Sequence, residues 1–292
     1  MNSFALLAGC VSLLCLVAPA TAQPSLAQSA AGKRQALGKI VAVNGMRLHY
    51  EERGAGEPLL LLHGFGMCGP GDWGGMADEL AKTNRVIMAD LRGHGWSTNP
   101  SGVFTMRRSA EDIRALLDHL KIRRVRAMGI SAGGMTLLHL ATRYPERLDS
   151  MVVIGATTHF PHQARQMMRA IGGGPLPKEV QQDFAKCASR GDNQVRELMR
   201  QFVGFKDSYE DMNLTPPYLA TIKARTLIVH GDRDEFFPVE IPVEMYRSIP
   251  GSQLWIVPGG DHVPIFGERR AEFLRIVSDF LGRPKASDAP SK

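Results

Sequence analysis

Short apolar runs alternate along this chain with segments whose apolar positions recur at helical spacing. Pro58-Leu59-Leu60-Leu61-Leu62, Arg85-Val86-Ile87-Met88-Ala89, Val125-Arg126-Ala127-Met128, Met151-Val152-Val153-Ile154, Thr226-Leu227-Ile228-Val229-His230 and Gln253-Leu254-Trp255-Ile256-Val257 have strand length. They are apolar almost throughout, as strands buried on both faces are. Between them, Ile113, Leu116, Leu117 and Leu120 have helical spacing behind Ser109-Ala110-Glu111-Asp112, which predicts a capped helix start at Ser109. Helical patterns also occupy Trp73 to Leu80, the stretch from Gly133 to Tyr144-Pro145, Val243 to Ile249, and Glu268 to Leu281. Asn44-Gly45, between Ile40-Val41-Ala42-Val43 and Arg47-Leu48-His49-Tyr50, predicts a hairpin. The pattern as a whole predicts an α/β fold: a mostly parallel, twisted sheet with helices on both faces.

The alternation stops from Ala156 to Ala224. That stretch is rich in Met, Gln, Arg and Phe and contains no buried strand pattern, so it predicts a helical cap inserted into the sheet domain. The core is then expected at 38–155 and 225–282. At the N-terminus, an apolar run from Phe4 to Ala18 ends in Ala20-Thr21-Ala22, a small-x-small pattern. This predicts a signal peptide over 1–22 cleaved after Ala22, and hence a secreted or periplasmic protein. An uncleaved anchor and a lipoprotein at Leu7-Ala8-Gly9-Cys10 are the alternatives. A flexible tether over 23–37 and a mobile tail over 283–292 complete the chain. Cys68 and Cys187 remain after cleavage, and are expected as buried free thiols, with a single disulfide as the alternative.

Composition narrows the functional classes. The 292 residues are 44% hydrophobic and 22% charged, which suits a soluble globular protein. The net charge of +6 is scattered, and its densest cluster, Arg123-Arg124-Val125-Arg126, leads into a strand without aromatic interleaving. No nucleic-acid partner is expected. His159-Phe160-Pro161-His162 has no further ligand cluster, so no metal is expected either.

Gly129-Ile130-Ser131-Ala132-Gly133 stands where a strand enters a helix. G-x-S-x-G in that context has the geometry of a nucleophile elbow, whose glycines avoid backbone collisions while the serine is held strained and exposed. A serine needs a base, and the base an orienting acid. The loops after the last two strands supply Gly231-Asp232-Arg233-Asp234-Glu235 and Gly259-Gly260-Asp261-His262. In parallel sheets, sites form at the carboxyl ends of strands, so these loops share an edge with Ser131. His262 is the candidate base, and the residues alone leave Asp232, Asp234, Glu235 and Asp261 open as the acid.

Taken together, His63-Gly64-Phe65-Gly66, Asp90-Leu91-Arg92-Gly93-His94-Gly95-Trp96-Ser97, the elbow, Gly231 to Asp234 and Gly259 to His262 resemble the capped α/β-hydrolase superfamily. The resemblance covers about residues 38 to 282. Ile130 and Ala132 stand where that family usually has His or Gln and Met or Gln. The resemblance implies a Ser131–His262–Asp234 triad, with Asp234 as the last residue of Gly-x-x-Asp. It also implies an oxyanion hole from the N–H groups of Phe65 and Ala132, with His63 shaping the loop. The implied activity is that of a serine hydrolase that cleaves a carboxylic ester or related acyl bond of a small molecule, without a cofactor. C–C bond hydrolysis, lactone opening and perhydrolysis use the same residues. Phe65, Trp73, Phe160, Phe236 and Phe237 are candidate pocket walls, with Met167, Met168, Phe202 and Phe205 beside them.

Two readings of another class compete. Gly64-Phe65-Gly66-Met67-Cys68-Gly69 is a G-x-G-x-x-G after a strand, with Asp90 at the spacing of a ribose-binding acid. Pro70, Gly71, Gly74 and Gly75 are expected to interrupt the helix that a NAD-dependent oxidoreductase needs there, and Asp90 is expected to order its own loop with Arg92. The other competitor is a non-catalytic ligand receptor that keeps the triad.

Overall fold

The computed structural model describes residues 38–174 and 178–282. The proposed signal peptide, tether and tail lie outside these residues. Eight strands form one sheet in the order β1-β2-β4-β3-β5-β6-β7-β8. They are β1 (Lys39–Val43), β2 (Met46–Arg53), β3 (Glu57–Leu62), β4 (Asn84–Ala89), β5 (Val125–Ile130), β6 (Leu148–Ile154), β7 (Arg225–Gly231) and β8 (Gln253–Val257). β1 and β2 are antiparallel to each other, β2 is antiparallel to β4, and β3 to β8 run parallel. The β1–β2 hairpin turns on Asn44 (φ 45°) and Gly45 (φ 73°), the two left-handed residues that a tight hairpin requires.

The central strands divide their side chains between two cores. Leu60, Leu62, Ile87 and Ala89 pack under α2 (Met106–His119), α3 (Ala132–Arg143) and α8 (Glu240–Ser248). Leu59, Leu61, Val86 and Met88 pack against α1 (Gly69–Leu80) and α9 (Arg270–Gly282). Each strand is thus apolar on both sides because each side is covered. Between β6 and β7 stand α4 (His162–Gly172), α5 (Lys178–Cys187), α6 (Asp192–Gly204) and the short α7 (Pro216–Leu219). α4 to α6 form a cap over the carboxyl edge of the sheet.

Three local expectations are corrected. The helix containing Ile113 begins a turn before Ser109: Thr105 is its N-cap and accepts the Arg108 N–H. Ser109 and Asp112 are buried inside that helix. α1 forms despite its glycines and starts at Gly69, because Pro70 falls in the first turn where its missing N–H costs nothing. Trp73, a candidate pocket residue, is fully buried on the α1 side of the sheet, in the core with Leu59, Leu61 and Phe273. The register of α1 turns its ring away from the site.

Cys68 and Cys187 are not free thiols. They form a disulfide with a Cα–Cα distance of 5.6 Å. Cys68 is the N-cap of α1, beside the loop after β3, and Cys187 ends α5. The bridge therefore ties the cap to the sheet domain. Arg190 and Gln194 add a second attachment: Gln194 donates to the carbonyls of Gly93 (2.8 Å) and Gly95 (3.0 Å), and Arg190 to Ser97 (2.9 Å). Among the described residues, no helix is long and apolar enough to cross a membrane.

The bridge closes a loop across 119 positions of sequence, which limits the freedom of the unfolded chain. Cys187→Ser is expected to lower stability by about 2–4 kcal/mol. Denaturant unfolding with and without a thiol reductant checks this: the parent should lose stability on reduction and the variant should not respond.

Candidate active site

The turn between β5 and α3 brings backbone to backbone. A Cβ on Gly129 would lie 2.5 Å from the carbonyl carbon of Gly133, and one on Gly133 would lie 2.5 Å from the Leu62 oxygen. Both contacts are impossible, so both positions require glycine. Between them Ser131 has φ 48° and ψ −111°, a strained conformation for a residue with a side chain. Its N–H is held by the Ile154 carbonyl at 2.8 Å. Its Oγ is left at the carboxyl edge of the sheet, beneath the cap.

Three of the sequence-selected residues meet there. Ser131 Oγ donates to His262 Nε2 at 3.0 Å, and His262 Nδ1 donates to Asp234 Oδ2 at 2.8 Å. The ring of His262 packs on Phe236 and Phe237, with centroids at 4.8 and 5.3 Å. Asp234 is the acid that reaches the ring. Asp261 instead accepts the Val263 N–H, as a loop cap does. The other oxygen of Asp234 accepts the N–H groups of Phe236 (2.8 Å) and Phe237 (3.1 Å). Burial alone would raise the Asp234 carboxyl. The His262 ring and its hydrogen bond, with His230 and the Phe237 N–H, outweigh that and hold it below the ordinary range. His230 is a neighbour that sequence reasoning passed over: its Nε2 lies 3.5 Å from Asp234 Oδ2 and donates to the Phe237 carbonyl at 2.9 Å. Desolvation lowers its pKa, against the raising influence of Asp234 and the Phe237 carbonyl.

The loop after β3 lies against the elbow. His63 donates through Nδ1 to the Gly64 carbonyl (2.7 Å) and accepts the Leu91 N–H at Nε2 (2.9 Å), so both ring nitrogens are committed to shaping the loop. Gly66 has φ 84°, and a Cβ there would lie 2.3 Å from the Phe184 ring of α5. The N–H of Ala132 opens α3 and has no partner within the helix, and the positive end of that helix faces the same place. Phe65 packs edge-on against His94, Phe104 and Phe205 at 4.7 to 5.2 Å, which fixes its backbone.

The dinucleotide reading fails on Asp90. Its carboxylate is buried and accepts from His49 (2.8 Å), Gly69 N–H (2.9 Å) and Trp96 N–H (3.0 Å), leaving nothing for a ribose. Asp90 does order its loop, but not with Arg92, which pairs with Asp112 at 2.7 and 2.9 Å. Among the described residues, no group of three or more His, Cys, Asp or Glu side chains could hold a metal ion.

A cavity of about 240 Å³ opens from Ser131 and His262 into the cap. Phe65, Phe160, Phe236 and Phe237 line it, as do Met167, Met168, Phe202 and Phe205. Met106, Met135, Phe184 and Met199 also reach it, and sequence alone did not select them. Asp72, in the first turn of α1, is a further lining residue that sequence reasoning missed. Its Oδ2 accepts the Gly64 N–H at 2.7 Å. Burial pushes its carboxyl up to about 6, against the lowering effect of that bond.

The family model for the alpha/beta hydrolase fold matches residues 57–218, more than half of the chain. The chain belongs to that family, and it is a hydrolase. Among curated relatives, serine hydrolase BPHL of Mus musculus is 30% identical, with 82% of this chain and 85% of the relative covered. The 2-hydroxy-6-oxo-2,4-heptadienoate hydrolase of Pseudomonas putida is 28% identical, covering 84% and 96%. Among solved structures, an esterase from Thermogutta terrifontis superposes with a TM-score of 0.69 at 25% identity, covering 83% of this chain and 98% of that one. A meta-cleavage product hydrolase from Pseudomonas fluorescens, at 22% identity and a TM-score of 0.73, covers 84% and 97% and shares the fold.

The raised Asp72 carboxyl has a consequence for stability. The folded state holds this proton up to about pH 6, while the unfolded chain releases it in the ordinary carboxylate range. Asp72 therefore destabilises the fold increasingly as pH rises from about 4 to about 6, and by a constant amount above that. Asp72→Asn should be more stable than the parent at neutral pH by about 1–3 kcal/mol, and the gap should close by about pH 4. Paired denaturant titrations at both pH values measure it.

Proposed function

We propose that this hydrolase cleaves a carboxylic ester or related acyl bond of a small, uncharged, apolar substrate through an acyl-enzyme on Ser131. The observation that carries the proposal is the hydrogen-bonded series Ser131–His262–Asp234 opening into an apolar cavity with no Lys or Arg among the described residues of its lining. The cavity lies toward the small end of ligand pockets, which suits a short or medium acyl group.

The geometry supports the following proposed steps. His262 takes the Ser131 proton at Nε2 as Oγ attacks the acyl carbon. Asp234 keeps the other ring nitrogen protonated and stabilises the imidazolium. The negative charge on the carbonyl oxygen is met by the N–H groups of Ala132 and Phe65. His262 then protonates the leaving group, and the same base activates water to release the acid. The cap, anchored by Cys68–Cys187, lies over the cavity beside these charges.

A second reading is favoured by similarity to the dienoate hydrolase of Pseudomonas putida: hydrolysis of a C–C bond in a conjugated carboxylate. The lack of a cation among the described lining residues weighs against it, because a substrate carboxylate would be desolvated without a partner. A secreted or periplasmic location is proposed with the function, and the disulfide supports an oxidising compartment.

Turnover of short and medium aryl esters tests the proposal. Ser131→Ala should lose activity by about three orders of magnitude or more. Asp234→Asn should fall far below Asp232→Asn, since Asp232 is exposed. Full turnover in Ser131→Ala rejects the mechanism.

A further inference from the structure

One carboxylate at the reacting centre has no part in the steps above. Asp72 faces the cavity beside Ser131. A Cβ built on Gly64 would lie 3.5 Å from Asp72 Oδ2 and 3.7 Å from Ser131 Cβ, so carboxylate and nucleophile flank one small space. No ion pair reaches Asp72 among the described residues. The other titratable groups that line the cavity are His262 and Glu235. His63, at the head of the adjoining loop, has both nitrogens committed elsewhere. Among the described residues, the lining thus carries two carboxylates and no cationic side chain, in surroundings made of Phe, Met, Ile and Val.

We propose that Asp72 is a specificity-determining residue that rejects anionic substrates at the reacting centre and so confines the enzyme to uncharged acyl groups. The inference rests on the ester-hydrolase reading of the same site. A substrate anion entering the cavity gives up water and meets a like charge with no compensating cation. An uncharged substrate of the same shape incurs neither cost. The same geometry makes the rejection depend on pH. Burial pushes Asp72 up to about 6, so it is charged at neutral pH and loses its charge in mild acid. An opposing structural role, in which Asp72 only clamps the Gly64 N–H, survives in Asp72→Asn, whose amide oxygen accepts the same bond.

The experiment uses two aryl esters of equal acyl length, one ending in a sulfonate and the other in a methyl sulfone. The sulfonate stays charged throughout the pH range, and the requirement for neutral His262 is common to both esters. The quantity read is the ratio of kcat/KM for the neutral ester to that for the anionic one. In the parent at about pH 7.5 this ratio should be large, and Asp72→Asn should reduce it by about tenfold or more. The parent ratio should also fall as pH is lowered to about 5, a reading that needs no variant to fold, and that of the Asn variant should stay flat. Glu235→Gln should change the ratio less than Asp72→Asn.

An unchanged ratio in Asp72→Asn, or a parent ratio independent of pH, overturns the proposal. If the neutral ester is not hydrolysed at all, the ester reading fails separately. Calorimetric Kd values for butanesulfonate and butyl methyl sulfone then give the same comparison without turnover. A preference for the sulfone that weakens in Asp72→Asn supports the filter, and equal preferences overturn it.

Discussion

The close approach of the β5–α3 turn to the end of β3 is the constraint on which the rest of the site depends. Gly129 and Gly133 allow the two segments to touch, and the contact forces Ser131 into its strained backbone. That backbone aims Oγ outward and places the Ala132 N–H at the start of a helix, without a partner inside the helix. It also sets the loop that begins at His63 against Ser131. The strain is sustained by the covered sheet below: β5 lies between β3 and β6, with apolar side chains packed on both faces. A side chain at either glycine would displace Ser131, the helix N-terminus and the adjoining loop together.

The cap converts this edge into a pocket. Phe184 of α5 fills the space that Gly66 leaves open, and the disulfide holds the end of α5 to the N-cap of α1. Arg165 is buried, and its guanidinium donates to four carbonyls, of Phe160, Phe205, Lys206 and Ser208, which knits the inner layer of the cap. The resulting cavity is mostly apolar, with Ser131, His262, Asp72 and Glu235 as its polar and titratable lining. The electrostatics diverge between the two acids. Asp234 is held ionised by histidine and backbone N–H groups. Among the described residues Asp72 is offset only by the Gly64 N–H, and burial pushes its carboxyl up to about 6.

Much of this was legible in the sequence because its causes are local. Asn44-Gly45 demands a hairpin, the unbroken run Leu59 to Leu62 demands a strand covered on both sides, and G-x-S-x-G demands a strand–helix elbow. The order of Ser131, Asp234 and His262 then brings three loops to one edge. What was not legible depends on which distant surfaces meet. Trp73 is as aromatic as Phe65, yet a few residues of helix turn it to the opposite face of the sheet. Cys68 and Cys187 are joined only because α5 folds back over the loop after β3. Asp72 was overlooked because α1 begins at Gly69 rather than at Trp73, within a stretch whose Gly and Pro content suggests a loop. An acid in the first turn of that helix was its one sequence signal.

In the proposed reaction, Ser131 carries the acyl group between the two halves. The most direct measurement is intact-protein mass spectrometry after rapid acid quench of the protein with a chromogenic ester, followed by peptide mapping. An acyl-enzyme on Ser131 gives a mass increase equal to the acyl group, located on the peptide containing Ser131 and absent in Ser131→Ala. Undiminished ester turnover in Ser131→Ala, or an acyl group on any other residue during turnover, would contradict it.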